Sequence, residues 1–176
     1  MMELPNILVE SVIQRGTILY SDIFENIDHP KFFVVIGVTD DSIAGFFYIN
    51  SKINENIILK VEQYELQYKI TPSDYKFLEH DSYICATEIS VLSRTVLSDS
   101  IQNKHTAIKG ELKLSHLNDL LQKLRESRLF SPIEKRKYFY KFHERLLLIY
   151  VKSNKYWILK DNNVEEFYDD IVWNKR

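Results

Sequence analysis

The sequence predicts a mainly β fold with helices: a small antiparallel barrel followed by a C-terminal β-hairpin and helix. Three observations predict it. Short β-branched and aromatic runs recur through the first half, each bounded by turn chemistry. Only one segment in the middle, 115–125, has clear helical periodicity. Strands do not alternate with long crossover helices, which favours a small closed barrel over a parallel sheet.

Residues 1–11 read as a loose lead-in. Strands are expected at Gly16–Tyr20, Lys31–Val38, Ala44–Asn50 and Ile57–Val61, where runs such as Val34-Val35-Ile36 and Phe46-Phe47-Tyr48-Ile49 are too short for helices. Asn26-Ile27-Asp28-His29-Pro30, Thr39-Asp40-Asp41-Ser42 and Asn54-Glu55-Asn56 supply the turns between them. Tyr64–Pro72 alternates loosely through Leu66, Tyr68 and Ile70. Ser82–Ala86 reads as a buried strand and Glu88–Leu92 continues the extended pattern, whereas the chain from Arg94 onward is less regular. Ser115–Arg125 is the helix: Ser115 is its N-cap, and Leu117, Leu120, Leu121 and Leu124 share one face, with Gly110 and Lys113 in the approach loop. Pro132 marks a break. Leu146–Val151 and Tyr156–Leu159 form a hairpin around Ser153-Asn154-Lys155, and Val164–Val172 a short acidic helix capped by Asn162 or Asn163. The organisation expected is a lead-in over 1–14, a barrel with its helix over 15–127, and an extension over 128–176.

Composition narrows the class. The 176 residues are 45% hydrophobic and 27% charged, with only four Gly and four Pro, which excludes collagen-like and low-complexity architectures. One cysteine, Cys85, forms no internal disulfide; in its apolar strand it reads as a buried, inert thiol. Lack of a disulfide framework and of a basic-then-apolar leader gives the expectation of a cytoplasmic protein, and the apolar runs fall well short of the ~20 residues of a membrane helix. The net charge of −2 conceals an asymmetry: Arg128 to Lys160 carries nine Lys/Arg against two acids, and an acidic end follows. A positive strip of that kind attracts phosphate, or is simply a solvated face.

Three blocks carry a family resemblance. The first is Arg15-Gly16-Thr17-Ile18, followed by Pro30-Lys31-Phe32-Phe33-Val34-Val35-Ile36. The second runs from Phe77-Leu78-Glu79-His80-Asp81-Ser82-Tyr83-Ile84-Cys85 into Glu88-Ile89-Ser90-Val91-Leu92-Ser93-Arg94 and Leu97. The third is Lys109-Gly110-Glu111-Leu112-Lys113-Leu114-Ser115 with Leu117, Leu120, Leu121 and Leu124. In this order they resemble the MazF/PemK/Kid small barrels, the ribonuclease toxins of toxin–antitoxin pairs. The resemblance spans roughly Arg15 to Arg125. It implies an SH3-like barrel of MazF/PemK type, an RNA-binding groove over one sheet, a homodimer, and a cognate antitoxin as partner. The chain departs from the family at its catalytic arginine: where an R-P pair is expected, it reads His29-Pro30-Lys31. Ser51 stands at about the place of the family's catalytic Thr/Ser, and Ser90-Val91 replaces the R-T pair.

Metal-independent RNA cleavage needs a base for the 2′-hydroxyl proton, a cation for the dianionic phosphorane and an acid for the leaving 5′-oxygen. His29 is a proton carrier, Lys31 supplies a point charge, and Ser51 can hold a phosphate oxygen. These three are the candidate catalytic residues. The bland alternative makes His29-Pro30 loop chemistry and Lys31 a solvated strand start. His80-Asp81-Ser82 is triad-like only on paper, because neighbours on a strand point to opposite faces. His105, His116 and His143 lack ligand spacing and no Gly-rich phosphate loop is present, so neither metal nor cofactor is expected.

Candidate RNA-binding residues are Arg15, Lys135, Arg136, Lys137, Tyr138 and Tyr140. Cations neutralise phosphates, and aromatic rings stack on unpaired bases for about 1–3 kcal/mol each. Packing competes with this role: as a strand, Glu134–Arg145 would turn Tyr138, Tyr140 and Phe142 inward and leave Phe139 outside. Two functions from different classes follow: a toxin-like RNA-binding protein with endoribonuclease activity, or a non-catalytic module binding a protein partner or RNA.

Overall fold

The computed structural model describes residues 13–24, 27–39 and 43–140, and the backbone of 156–160 and 163–167. The chain divides into two compact units, Met1–Phe139 and Tyr140–Arg176.

The first unit is built on an antiparallel sheet. Its strands are β1 (Thr17–Ser21), β2 (Lys31–Val38), β3 (Ile43–Asn50), β4 (Gln67–Ile70), β5 (Ser82–Cys85), β6 (Ser90–Ser93) and β7 (Thr106–Glu111). The hydrogen-bonded order is β4-β5-β3-β2-β1-β7, with β6 also on β3. The path is open. β4 and β7 end it without pairing to each other, so the closed barrel expected from the sequence is not formed. The coarser expectation, antiparallel β with helices, holds.

Two apolar clusters explain why β2 reads as a continuous hydrophobic run and not as an alternation. Ile18, Val34, Ile36, Phe47 and Ile84 pack on one side with Leu117, Leu120, Leu121 and Leu124 of helix α4 (Leu114–Glu126). Leu19, Phe33, Val35 and Phe46 pack on the other with Leu97 of helix α3 (Arg94–Gln102). The helix in the middle therefore lies where its leucine stripe predicts. It starts one residue early, with Lys113 at the cap and no side-chain cap bond, so Ser115 is not the N-cap.

Several expectations fail, each for a local reason. Ile57–Val61 is not a strand: α1 (Glu55–Ile58) and α2 (Val61–Glu65) occupy it. Asn54 Oδ1 accepts from Asn56 N at 2.9 Å and starts the first of these turns. The irregular stretch after Arg94 is α3, capped by Ser93 Oγ, which accepts from Val96 N at 3.1 Å. Gly110 lies in a strand, not an approach loop. Glu134–Phe139 is not extended either. Pro132 opens α5 (Pro132–Glu134), closed by a reciprocal Ser131–Glu134 capping box, and Lys135–Phe139 continues as a π-helical turn. Helical geometry carries both Tyr138 and Phe139 inward, so Phe139 is fully buried and not exposed. Cys85 is half-buried, with Sγ 3.5 Å from Thr87 Oγ1.

Two arginines hold that turn in place. The last carbonyls of a helical segment have no partner within it. Arg15 Nη2 donates to the Tyr138 carbonyl at 2.8 Å, and Arg125 Nε and Nη2 donate to the Phe139 carbonyl at 3.1 and 2.7 Å. Arg15 Nε also donates at 2.9 Å to the carbonyl of Ile36, where the β2–β3 register shifts between Val35 and Gly37. Removing a charged donor from a partly buried acceptor costs about 1.5–3 kcal/mol. Arg125→Ala should therefore lower the urea midpoint of unfolding without changing the denaturant slope; an unchanged midpoint would mean that the clamp is dispensable.

In the second unit β8 (Tyr156–Lys160) pairs antiparallel with β9 (Asn163–Phe167), in register from Tyr156↔Phe167 to Lys160↔Asn163. These two strands form a hairpin, and the expected pairing of Tyr156–Leu159 with Leu146–Val151 is a separate matter. Leu146–Val151 lies outside the described residues, and Val164–Phe167 is strand where a helix was expected. Asp161-Asn162-Asn163 suits a hairpin turn as well as a helix cap, and Val164 and Phe167 suit a strand. No helix among the described residues is long and apolar enough to cross a membrane.

Candidate functional site

The sheet brings the three candidate catalytic residues to one end. β2 begins at Lys31 and the antiparallel β3 ends at Asn50, so His29, Lys31 and Ser51 meet at the same edge of the strand pair. A cleft of about 490 Å³ opens there, and all three line it. Its wall continues through Tyr20, Phe32, Phe77, Glu79, His80 and Lys109.

The floor is aromatic. The Tyr20 and Phe32 rings lie 4.5 Å apart between centroids, and Phe32 and Phe77 lie 5.1 Å apart. Tyr20 and Phe32 are directly opposed on β1 and β2, which is how a pleated pair brings two rings together. Around this floor stand polar groups. Lys31 Nζ donates to Asn50 Oδ1 at 2.9 Å, which fixes the ammonium at the strand end while its other two protons stay available. His29 is 61% exposed and its Nδ1 lies 2.8 Å from Asp28 Oδ1. That hydrogen bond holds the Asp28 carboxyl below the usual carboxylate range. In the neutral tautomer that donates Nδ1–H to the carboxylate, Nε2 is the lone-pair nitrogen.

Lys109 reaches the cleft through a β-bulge. On β1, Ile18 faces Gly110 and Leu19 faces Ile108, so Lys109 is the extra residue of β7. Gly110 carries φ +140°, a backbone conformation that suits glycine. A bulge bends its strand and re-aims a side chain; here Lys109 Nζ stands 5.2 Å over the Tyr20 ring. Sequence reasoning missed Lys109 because it missed β7. The signal lies in the Lys109-Gly110 pair, whose glycine reads as part of the approach loop to the helix. His80 was dismissed with its neighbours, and those neighbours do not form a relay with it: Asp81 pairs with Lys69 at 2.6 Å, and the Ser82 hydroxyl donates to the His80 carbonyl.

The candidate RNA-binding residues lie elsewhere. Arg15 is half-buried, with its guanidinium on the Ile36 and Tyr138 carbonyls. Tyr138 is buried in the core, not displayed for stacking. Lys135 and Arg136 are half-buried and Lys137 is exposed, its Nζ 5.5 Å from the Tyr138 ring centroid. None of these residues lines the cleft. Tyr140 falls in the second unit and is half-buried.

His116 and His105 serve packing or the surface, and His143 lies outside the described residues. Tyr75 Oη contacts His116 Nδ1 at 2.8 Å and accepts from Lys113 N at 3.0 Å, tying the Tyr75 loop to the start of α4. His105 sits beside Asp22 at 3.2 Å, both exposed. Among the described residues no three His, Cys, Asp or Glu side chains gather as a metal ion requires. The chain matches no protein-family model and no curated protein, so its likeness to the MazF/PemK toxins rests on its three sequence blocks alone.

Proposed function

We propose that this chain is a toxin-like RNA-binding protein of the MazF/PemK kind, acting as a metal-independent endoribonuclease at the cleft lined by His29, Lys31 and Ser51. One observation carries the proposal. Three residues chosen for their chemistry from the sequence line a single solvent-open cleft with an aromatic floor and a second lysine. An unpaired base can stack on Tyr20 and Phe32. The adjoining phosphate then meets Lys31 and Lys109, point charges in place of the family's arginine fork, and the hydroxyl of Ser51. His29 carries a proton. The basic residues around Lys135 to Lys137 are left to general attraction of the polyanion.

The test is incubation of purified protein with a mixed single-stranded RNA in EDTA. Cleavage leaving 2′,3′-cyclic phosphate and 5′-hydroxyl ends is expected, with Lys31→Ala slower by about 10²–10³-fold, the usual loss of a group stabilising the transition state. Intact RNA would sink the proposal.

A second reading, a non-catalytic module for a protein partner, is favoured by a different surface. Ile58, Leu59, Val61 and Tyr64 on α1, α2 and their link are 48–89% exposed, an apolar patch of the kind that marks interaction sites. Under that reading Lys31→Ala is silent and RNA stays whole.

A further inference from the structure

The cleft holds a second imidazole that the scheme above leaves without a role. His80 is exposed in the turn that leads into β5, and it lines the cleft with His29, Lys31 and Ser51. The turn is anchored from within: the Ser82 hydroxyl, on a buried residue, donates to the His80 carbonyl at 3.2 Å. The His80 ring itself makes no hydrogen bond among the described residues, whereas that of His29 is oriented by Asp28.

Sheet topology sets the two rings apart. His29 leads into β2 and His80 leads into β5, and β2 and β5 flank β3 on opposite sides. Ser51 follows the end of β3 between them. In-line displacement at phosphorus places the attacking and leaving oxygens on opposite sides, so it calls for proton carriers on both sides of a central phosphate site.

We propose that His80 is the general acid of the cleavage step and His29 its general base. The proposal rests on the ribonuclease reading. As the bond from the 2′-oxygen to phosphorus forms, the bond from phosphorus to the 5′-oxygen breaks. The 2′-hydroxyl proton passes to His29 Nε2, and His80 gives a proton to the departing 5′-oxygen. A 2′,3′-cyclic phosphate and a 5′-hydroxyl result, and both rings regain their starting states by proton exchange with water. The assignment of roles follows from Asp28, which holds Nδ1–H and leaves Nε2 of His29 as acceptor.

A leaving-group experiment tests this. The wild type is first used to map a cleaved bond in ordinary RNA. An oligonucleotide with sulfur in place of the bridging 5′-oxygen at that bond is then compared with its oxygen parent. A thiolate departs without a proton. His80→Ala should cut the oxygen substrate about 10²–10⁴-fold more slowly and the sulfur substrate at nearly the wild-type rate. His29→Ala should be slow on both. Melting curves of both variants confirm that they fold. His80→Ala equal to wild type on oxygen, or equally impaired on both substrates, overturns the assignment, as does rescue of His29→Ala by sulfur. If the wild type cuts neither substrate, the ribonuclease reading itself falls.

Discussion

Gly37→Ala should lower the melting temperature by at least about 6–12 °C, the equivalent of about 3 kcal/mol or more in a chain of this size. Gly37 and Gly45 face each other across β2 and β3 and leave a gap in the sheet's side-chain cover. Tyr138 fills it. A Cβ on Gly37 would overlap the Tyr138 carbonyl oxygen and come within 2.8 Å of its Cα. No rotamer relieves that clash, because it is made by backbone. The turn that carries Tyr138 and Phe139 must lift, and with it goes the burial of two aromatic rings, each worth about 1.5–3 kcal/mol. Gly45→Ala meets Tyr138 differently: its Cβ would lie 2.6 and 2.7 Å from ring atoms. A double-mutant comparison separates the two cases. In a Tyr138→Ala background Gly45→Ala should lose most of its cost, keeping only a tight contact with Ile89 Cγ2 at 3.1 Å, while Gly37→Ala should still destabilise. A Gly37→Ala variant melting within about 2 °C of wild type would contradict the seating of this turn on the sheet.

The same turn shows where sequence could be read and where it could not. β2 was legible to the residue, since Pro30 sets its start and Phe32, Phe33, Val34, Val35 and Ile36 form an unbroken run of strand formers within it. α4 was legible from its leucines. Ser131-Pro132-Ile133-Glu134 carries the capping-box signature together with a proline at the first helical position, yet Pro132 reads as a break when only its missing N–H is considered. Tyr138 and Phe139 then appear as one inward and one outward residue of a strand, and a buried pair is taken for half of a stacking surface. α3 was hidden because its face toward the sheet holds few large apolar groups; its buried residues are Leu97, Ser98 and Ser100. The Ser98 and Ser100 positions look polar in sequence, and Ser100 Oγ is satisfied internally by the Leu97 carbonyl and Thr106 Oγ1. The candidate site was partly legible because His29 and Ser51 adjoin strands whose pairing was evident. Lys109 depends on a bulge and His80 on a loop meeting a distant strand end, and neither leaves a periodic trace.

Under the proposed ribonuclease function, replacing His29 by alanine should slow RNA cleavage by about 10²–10⁴-fold, the usual contribution of a positioned proton carrier, and leave the melting temperature nearly unchanged. The two halves of that expectation have different causes. His29 is 61% exposed and its one side-chain partner, Asp28, is 97% exposed, so the contact adds little to the fold. Its value lies in orientation. Asp28, whose carboxyl the hydrogen bond with His29 holds below the usual range, contacts Nδ1 of the ring, and in the proposed mechanism it thereby leaves Nε2 for the substrate. Asp28→Asn removes the charge and loosens that choice, so it should reduce the rate by less than His29→Ala does. In the His29→Ala background it should cost almost nothing more, because the ring it orients is gone. Additive losses in the double variant would show that Asp28 acts on RNA independently of His29. Initial rates on one RNA substrate, measured well above the acidic range in which Asp28 takes up a proton, decide between the two. Gly37→Ala supplies the opposite pattern, a large loss of stability at a residue outside the cleft, so the pair of substitutions distinguishes damage to the scaffold from damage to the chemistry.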